Sequence, residues 1–397
     1  MEAIQYIKSV PRYLAVRMLG GRWSGLRTGR LSCIRLTDVE APRLPGPEWV
    51  RVRPRLSGIC GSDLATIGAK GSPYFSPFVS CPFVFGHEVV GETEGGQRVV
   101  VEPALCCAVR GLEACRRCAA GDYGNCEQTN KGALSAGIQT GFCRDTGGGW
   151  SGSMVAHPFQ VHAVPEGMPD EEAVLIEPFA CALHAALRGR PGDGGTALVM
   201  GCGSIGLLVI AALRAVGGRF RIVAVAKYPH QKEAAIRLGA DEVLRPGWDL
   251  YGAVCRATGA ERYQPELGKP VLVGGAEAVF DCVGSAATID DALRFTRARG
   301  TTALVGMPAI PAGVDWTSIW YKELNVVGAY TYGTEEWEGG RVRTFDLAIR
   351  LLQKVGEKLG TLVTHRFRLR DYRRAIDVAM HTGRHGSIKT VFDMRDA

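Results

Sequence analysis

The feature that most narrows the folds open to this chain is Gly201-Cys202-Gly203-Ser204-Ile205-Gly206, set between the apolar run Thr196-Ala197-Leu198-Val199-Met200 and the run Leu207-Leu208-Val209-Ile210-Ala211-Ala212-Leu213. Buried strand, glycine turn and helix in that order open a nucleotide-binding βαβ unit. Gly201, Gly203 and Gly206 allow a tight turn, close approach of a pyrophosphate to the backbone and close packing of helix on strand, while Ser204 and Ile205 stand at the helix N-terminus that attracts the anion. The next strand arrives on schedule as Arg221-Ile222-Val223-Ala224-Val225. Residues 194 to 213 carry no charge, and their length also suits a bilayer span. The interrupting glycines, Ser204 and the short strand that follows fit a doubly wound parallel sheet better.

In such a unit a carboxylate at the end of the second strand holds the ribose hydroxyls of NAD. Ala226 stands there, followed by Lys227, Tyr228, His230 and Lys232, with no acid before Glu233. Cationic donors without a repelling carboxylate suit a ribose 2′-phosphate, so NADP(H) is expected in preference to NAD(H), with Lys227 and His230 as donors. The plainer alternative is that these are solvated charges at a helix start.

Cys60, in Gly58-Ile59-Cys60-Gly61-Ser62-Asp63, and His87-Glu88, in Gly86-His87-Glu88-Val89-Val90-Gly91, supply a thiolate, an imidazole and a carboxylate inside glycine-rich turns. Three protein ligands to Zn²⁺ leave a fourth position for water or substrate, where the metal polarises an alcohol oxygen. Glu177, held stiffly by Pro178 at a helix start, is a further carboxylate able to complete or relay the coordination. Whether Glu88 or Glu177 binds the metal directly stays open at this level. Each residue alone is ambiguous, since a single buried Cys is usually core filler and a His-Glu pair usually solvated.

Cys115-Arg116-Arg117-Cys118 followed by Cys126 suits a loop wrapped around a second metal, and the fourth sulfur comes from Cys107 or its neighbour Cys106, Cys107 being nearer to Cys115. Four thiolates make a closed structural zinc site, giving two zinc ions per chain. Disulfides are the alternative reading of these cysteines. The start Met-Glu-Ala-Ile has neither a continuous apolar run nor a cleavage site, which points to a cytoplasmic protein whose 13 cysteines serve as ligands and core residues.

Together these segments resemble the zinc-dependent medium-chain dehydrogenase/reductase superfamily, which includes alcohol, sorbitol, threonine and glucose dehydrogenases. The resemblance implies an α/β chain with a GroES-like β-barrel catalytic domain and a Rossmann doubly wound parallel-sheet domain. It matches Cys60 and His87 to catalytic zinc ligands, Glu88 to the carboxylate beside that His, Ser62 to the hydroxyl that relays the substrate proton, and Asp63 to the acid that orients the ligands. Glu177 is similar to the Glu of the sorbitol, threonine and glucose dehydrogenase branch. Cys115, Cys118 and Cys126 match the last three cysteines of the structural-zinc lobe, whereas Val109–Ala114 expands the gap before them. Val283 and Val305 look like strand-end residues lining the nicotinamide, and Lys389 resembles a basic residue reaching the cofactor phosphates. A homodimer or homotetramer is implied as well.

At 397 residues and 46% hydrophobic content the chain is long and apolar enough for two domains. Punctuated, alternating strands such as Trp49-Val50-Arg51-Val52-Arg53 dominate to about residue 165, and from about 186 to 322 buried strands alternate with helices. The expected division is 1–185 as catalytic domain, with a metal lobe at 106–126, then 186–322 as cofactor domain and 323–397 returning to the first, with the site in the cleft. A net charge of +7 is modest and argues for no nucleic-acid partner.

Residues 1–30, basic and interleaved with apolar positions, read as a helix, ordinary and surface-borne in the simpler view or touching an anionic membrane in the other. Residues 72–85 are aromatic and either line an apolar pocket or pack the barrel. The expected activity is zinc-dependent hydride transfer between a small-molecule alcohol (a polyol, sugar, amino alcohol or larger alcohol) and NADP⁺. A zinc-free enone or quinone reductase and a non-catalytic NADPH-binding regulator are the alternatives.

Overall fold

The computed structural model describes residues 1–395. By contact the chain divides into two compact units, one of Met1–Glu177, Glu336–Ile349 and the chain from Gly360 onward, the other of Pro178–Glu335 and Arg350–Leu359. The stretch 186–322 assigned from sequence lies inside the second unit.

In the first unit the alternating segments form a mainly antiparallel sheet around Val50–Gly58. That strand pairs with Val89–Thr93, Met154–Ala156 and Lys389–Asp393, and the sheet continues through Arg98–Val101 to Val161–Ala163 on one side and to Val363–Phe367 on the other. The pairing Val391↔Gly58 and Phe392↔Ser57 carries the end of the chain back onto the strand that precedes Cys60. Inward residues such as Val52, Val89, Val99 and Met154 form one core cluster. A second gathers Ile4, Phe83, Phe85, Trp150 and Phe392, with Phe85 stacked on Trp150 at 5.1 Å and Trp150 edge-on to Phe392 at 4.9 Å. The aromatic segment therefore splits: Phe83 and Phe85 pack the core, while Tyr74 and Phe75, on the 3-10 turn Pro73–Phe78, are exposed.

The single helix expected over residues 1–30 is not what forms. Glu2–Tyr6 is a strand paired with Ile34–Asp38 and with Phe83–Val84, because Ala3 and Ile4 have buried places to fill in that small sheet. A helix follows over Val10–Leu19, with Pro11 in its first turn and Gly20-Gly21 at its end, and a further turn covers Gly25–Thr28.

The second unit holds a six-stranded sheet in the order Glu242–Leu244, Arg221–Val225, Thr196–Met200, Ala276–Asp281, Thr296–Leu304, Asn325–Gly328, every pair parallel. Ala197, Leu198 and Val199 are fully buried in a row, as a strand covered on both faces requires. Strand order reverses across Thr196–Met200, so the switch point lies where the glycine turn leaves that strand. The long uncharged run is thus a strand, a turn and the helix Ser204–Ala215. No helix of the described residues is long and apolar enough to cross a membrane, and the run takes the strand–turn–helix form preferred over a bilayer span.

Candidate active site

Cys60 caps the helix Gly61–Ile67 directly after the strand Val50–Gly58. The next strand pairs Ser57 with Val89, so the residues before Val89 come to lie beside those after Ser57. Gly86 has φ +98°, and a side chain there would meet Trp150 and the Gly149 amide, so glycine is required to bring His87 in. Gly58 is needed for another reason: a Cβ on it would run into the Glu88 carboxylate.

The Cys60 sulfur, a His87 ring nitrogen and a Glu88 oxygen consequently lie within 4.8 Å of one another. Around them, Ser62 Oγ is 3.3 Å from His87 Nε2, the Asp63 carboxylate stands 3.5 Å from His87 Nδ1, and its other oxygen accepts the Cys60 amide at 2.9 Å. Asp63, His87 and Glu88 are buried, whereas Cys60 and Ser62 are half-buried, so the cluster opens on the side where they stand. Burial pushes the Asp63 carboxyl up to about 6, against the pull of His87. Burial works to lower the His87 pKa, but the negative charges of Asp63, Cys60 and Glu177 more than offset it and take it up to about 10. The cluster attracts positive charge, and a thiolate, an imidazole and a carboxylate converging at this range fit Zn²⁺. The zinc-free reading leaves that convergence unexplained.

Glu177, in the first turn of the helix Ile176–Gly189, is buried and its charge acts on His87 and Lys389, but it is not among the three groups that converge. Lys389 does not stand where the resemblance puts it. Instead of reaching toward cofactor phosphates, its ammonium is buried against the Glu88 carboxylate, at the start of the strand that pairs with Val50–Gly58. Burial opposes the charged form, yet Glu88, then Cys60 and Glu177, hold the ammonium protonated. Two charges removed from water together must stay paired, so Lys389 serves Glu88.

The sulfurs of Cys107, Cys115, Cys118 and Cys126 also lie within 4.8 Å of one another, and Cys107 rather than Cys106 joins the group. All cysteines are free thiols, which removes the disulfide reading. Hydrogen-bond donors point at the sulfurs: the Cys115 amide at Cys107 (3.3 Å), the Cys118 and Glu127 amides at Cys115 (3.5 and 3.4 Å), and the Gln128 amide at Cys126 (3.4 Å). Burial resists ionisation of Cys115, but those two amides bring it down to about 7. Donors aimed at three of the four sulfurs suit metal-bound thiolates. The expanded gap before Cys115 holds a residue that the sequence did not mark. Arg110 is fully buried and donates to five carbonyls, of Leu105 (3.0 Å), Lys131 (2.8 Å), Leu134 (3.0 Å), Ser135 (3.2 Å) and Gly137 (2.7 Å).

In the second unit Gly201 has φ +91° and lies against the Val283 side chain, and Gly206 packs on the Gly201 carbonyl. A Cβ added to Gly203 would meet nothing within 4 Å, so that face of the turn is open for a phosphate to approach. Asp281 ties two further loops to this edge: its carboxylate accepts the Val283 and Gly284 amides (3.0 and 3.2 Å), and its carbonyl accepts those of Val305 and Gly306 (3.0 and 2.7 Å). Val225 pairs with Met200, which sets Ala226 and Lys227 beyond the same edge of the sheet as Gly201. Lys227 is exposed and lies 5.5 Å over the Tyr228 ring. Tyr228 stacks on His230, whose buried Nε2 has no hydrogen-bond partner among the described residues. These residues fit a nicotinamide dinucleotide.

The Zinc-binding dehydrogenase family matches residues 204–346, and the Alcohol dehydrogenase GroES-like domain matches residues 46–166. An L-idonate 5-dehydrogenase of Vitis vinifera is 29% identical over 364 residues, covering 88% of this chain and 89% of that protein. A sorbitol dehydrogenase of Arabidopsis thaliana is 30% identical over 362 residues, with the same coverage. The solved structure of a 2R,3R-butanediol dehydrogenase from Bacillus subtilis shares the fold, with a TM-score of 0.71 over 99% of each chain at 24% identity. The two glycine-built clusters, the parallel sheet and these likenesses place the chain in the zinc-dependent medium-chain dehydrogenase/reductase superfamily, among the alcohol dehydrogenases.

Proposed function

We propose that this dehydrogenase interconverts a polyhydroxylated secondary alcohol and its ketone, with NADP⁺ as hydride acceptor and a zinc ion held by Cys60, His87 and Glu88. The observation that carries the reading is the convergence of those three groups with Ser62 on their open side. When bound there, zinc supplies the Lewis acid that makes an alcohol proton acidic. Ser62, half-buried, accepts that proton and passes it toward water. Asp63 fixes the Cys60 backbone and faces His87, and Lys389 keeps Glu88 in place. A second zinc, on Cys107, Cys115, Cys118 and Cys126, stabilises the lobe. The polyol assignment rests on Glu177 and on the polyhydroxylated substrates, a sugar acid and a sugar alcohol, named for the idonate and sorbitol relatives.

Ser62→Ala is expected to lower kcat roughly 100-fold while zinc content and NADPH affinity stay near wild type, because the lost group only transfers a proton. Near-normal turnover in Ser62→Ala means the proton leaves by another path.

Support for NADP(H) comes from Ala226 in place of an acid, exposed Lys227 and the unpartnered His230 nitrogen. A charge-assisted bond to the 2′-phosphate is worth roughly 1.5–3 kcal/mol, about one to two powers of ten. Following nicotinamide absorbance with a panel of polyols and simple alcohols should show NADP⁺ preferred by at least about tenfold. Ala226→Asp with Lys227→Ala should move that preference toward NAD⁺. Tighter binding of NADH than NADPH by the wild type removes the NADP(H) assignment, and oxidation of simple alcohols alone removes the polyol one.

A further inference from the structure

The excess of positive charge is confined to the first tenth of the chain. Between Glu2 and Asp38 there are seven cations, from Lys8 to Arg35, and no acid, so the rest of the molecule, with 40 Lys and Arg against the full 40 Asp and Glu, is neutral. The fold does not neutralise these seven, since none of them forms an ion pair with a carboxylate among the described residues. Arg12 donates to the Ser32 carbonyl (3.4 Å) and Arg17 to the Ala69 carbonyl (3.3 Å), contacts that fix the guanidinium groups without cancelling their charge.

The helix Val10–Leu19 buries only Val16 among its own residues. Val10, Leu14 and Met18, four residues apart and so in one row, are 61%, 44% and 72% exposed, and Trp23 beyond the helix end is 59% exposed. Arg17 lies three residues from Leu14 and flanks the row, and Arg22 adjoins Trp23. Solvent-exposed apolar rows of this kind mark contact surfaces.

We propose that this segment docks the protein on an anionic phospholipid surface, Val10, Leu14, Met18 and Trp23 entering the headgroup region while the unpaired arginines meet lipid phosphates. A second copy of the chain would oppose seven unpaired cations to seven more. A nucleic acid would meet the charges and leave the apolar row in water. An anionic lipid interface satisfies both halves of the surface.

Sedimentation of the full-length protein with vesicles tests this. The protein should pellet with vesicles of phosphatidylcholine mixed with phosphatidylglycerol, stay in solution with phosphatidylcholine alone, and be released by high salt. Each cation near such a surface contributes about fivefold to partitioning, so Arg17→Gln with Arg22→Gln should weaken it roughly 25-fold. Trp23→Ser should weaken it without changing its salt dependence, and circular dichroism of both variants should match wild type. Three results overturn the proposal: no preference for anionic vesicles; partitioning that Trp23→Ser leaves untouched and a DNA duplex competes away; or a change in the mass of the sedimenting species in Trp23→Ser, which makes the row a subunit contact.

Discussion

Cys60→Ala is expected to lower kcat/KM for alcohol oxidation by about three powers of ten or more, since without the thiolate the site would lose its metal and with it several kcal/mol of stabilisation for the developing alkoxide. The fold should survive. Cys60 stands at the N-cap of Gly61–Ile67, where a lost cap interaction costs about 1 kcal/mol, and Asp63 still accepts the residue-60 amide. Steady-state kinetics alongside thermal melts separates the two effects. Activity within tenfold of wild type would show that Cys60 is not a ligand.

Arg110→Met should destabilise the protein by about 3–5 kcal/mol. Methionine fills similar space but leaves the carbonyls of Leu105, Leu134 and Gly137 buried without their donor, and frees those of Lys131 and Ser135. The chain from 105 to 137 that these bonds gather is the chain that carries Cys107, Cys115, Cys118 and Cys126. Denaturant unfolding should therefore show the loss in stability, and a chelator should strip the lobe's metal faster than in wild type. A change below about 1 kcal/mol would mean the carbonyls find water or other donors.

Much of this site could be read from residue order because its chemistry is local. The glycine turn sits between its own strand and helix, Cys60 caps the helix that holds Ser62 and Asp63, and Cys115 and Cys118 share one turn. The choice between Cys106 and Cys107 was beyond the sequence, since adjacent residues differ only in the direction their side chains take. The partner of Lys389 escapes the sequence for a related reason: it is set by a strand pairing between distant parts of the chain, which only the register Val391↔Gly58 reveals. Arg110 had no mark at all, because a buried arginine bound by backbone carbonyls leaves no pattern of side chains. At the start of the chain, the basic and apolar spacing suggested one helix. Tertiary pairing took Glu2–Tyr6 into a sheet, and Val10–Leu19 with the short Gly25–Thr28 kept the helical form.

Two separate residue sets are proposed to hold zinc, one for chemistry and one for the lobe. Zinc per chain, measured on purified wild type, Cys60→Ala and Cys118→Ala, tests this most directly. The expected result is two ions in the wild type and one in Cys60→Ala with the melting temperature nearly kept, whereas Cys118→Ala should lose the other ion together with stability. One ion in the wild type would contradict the lobe assignment, and none would contradict both.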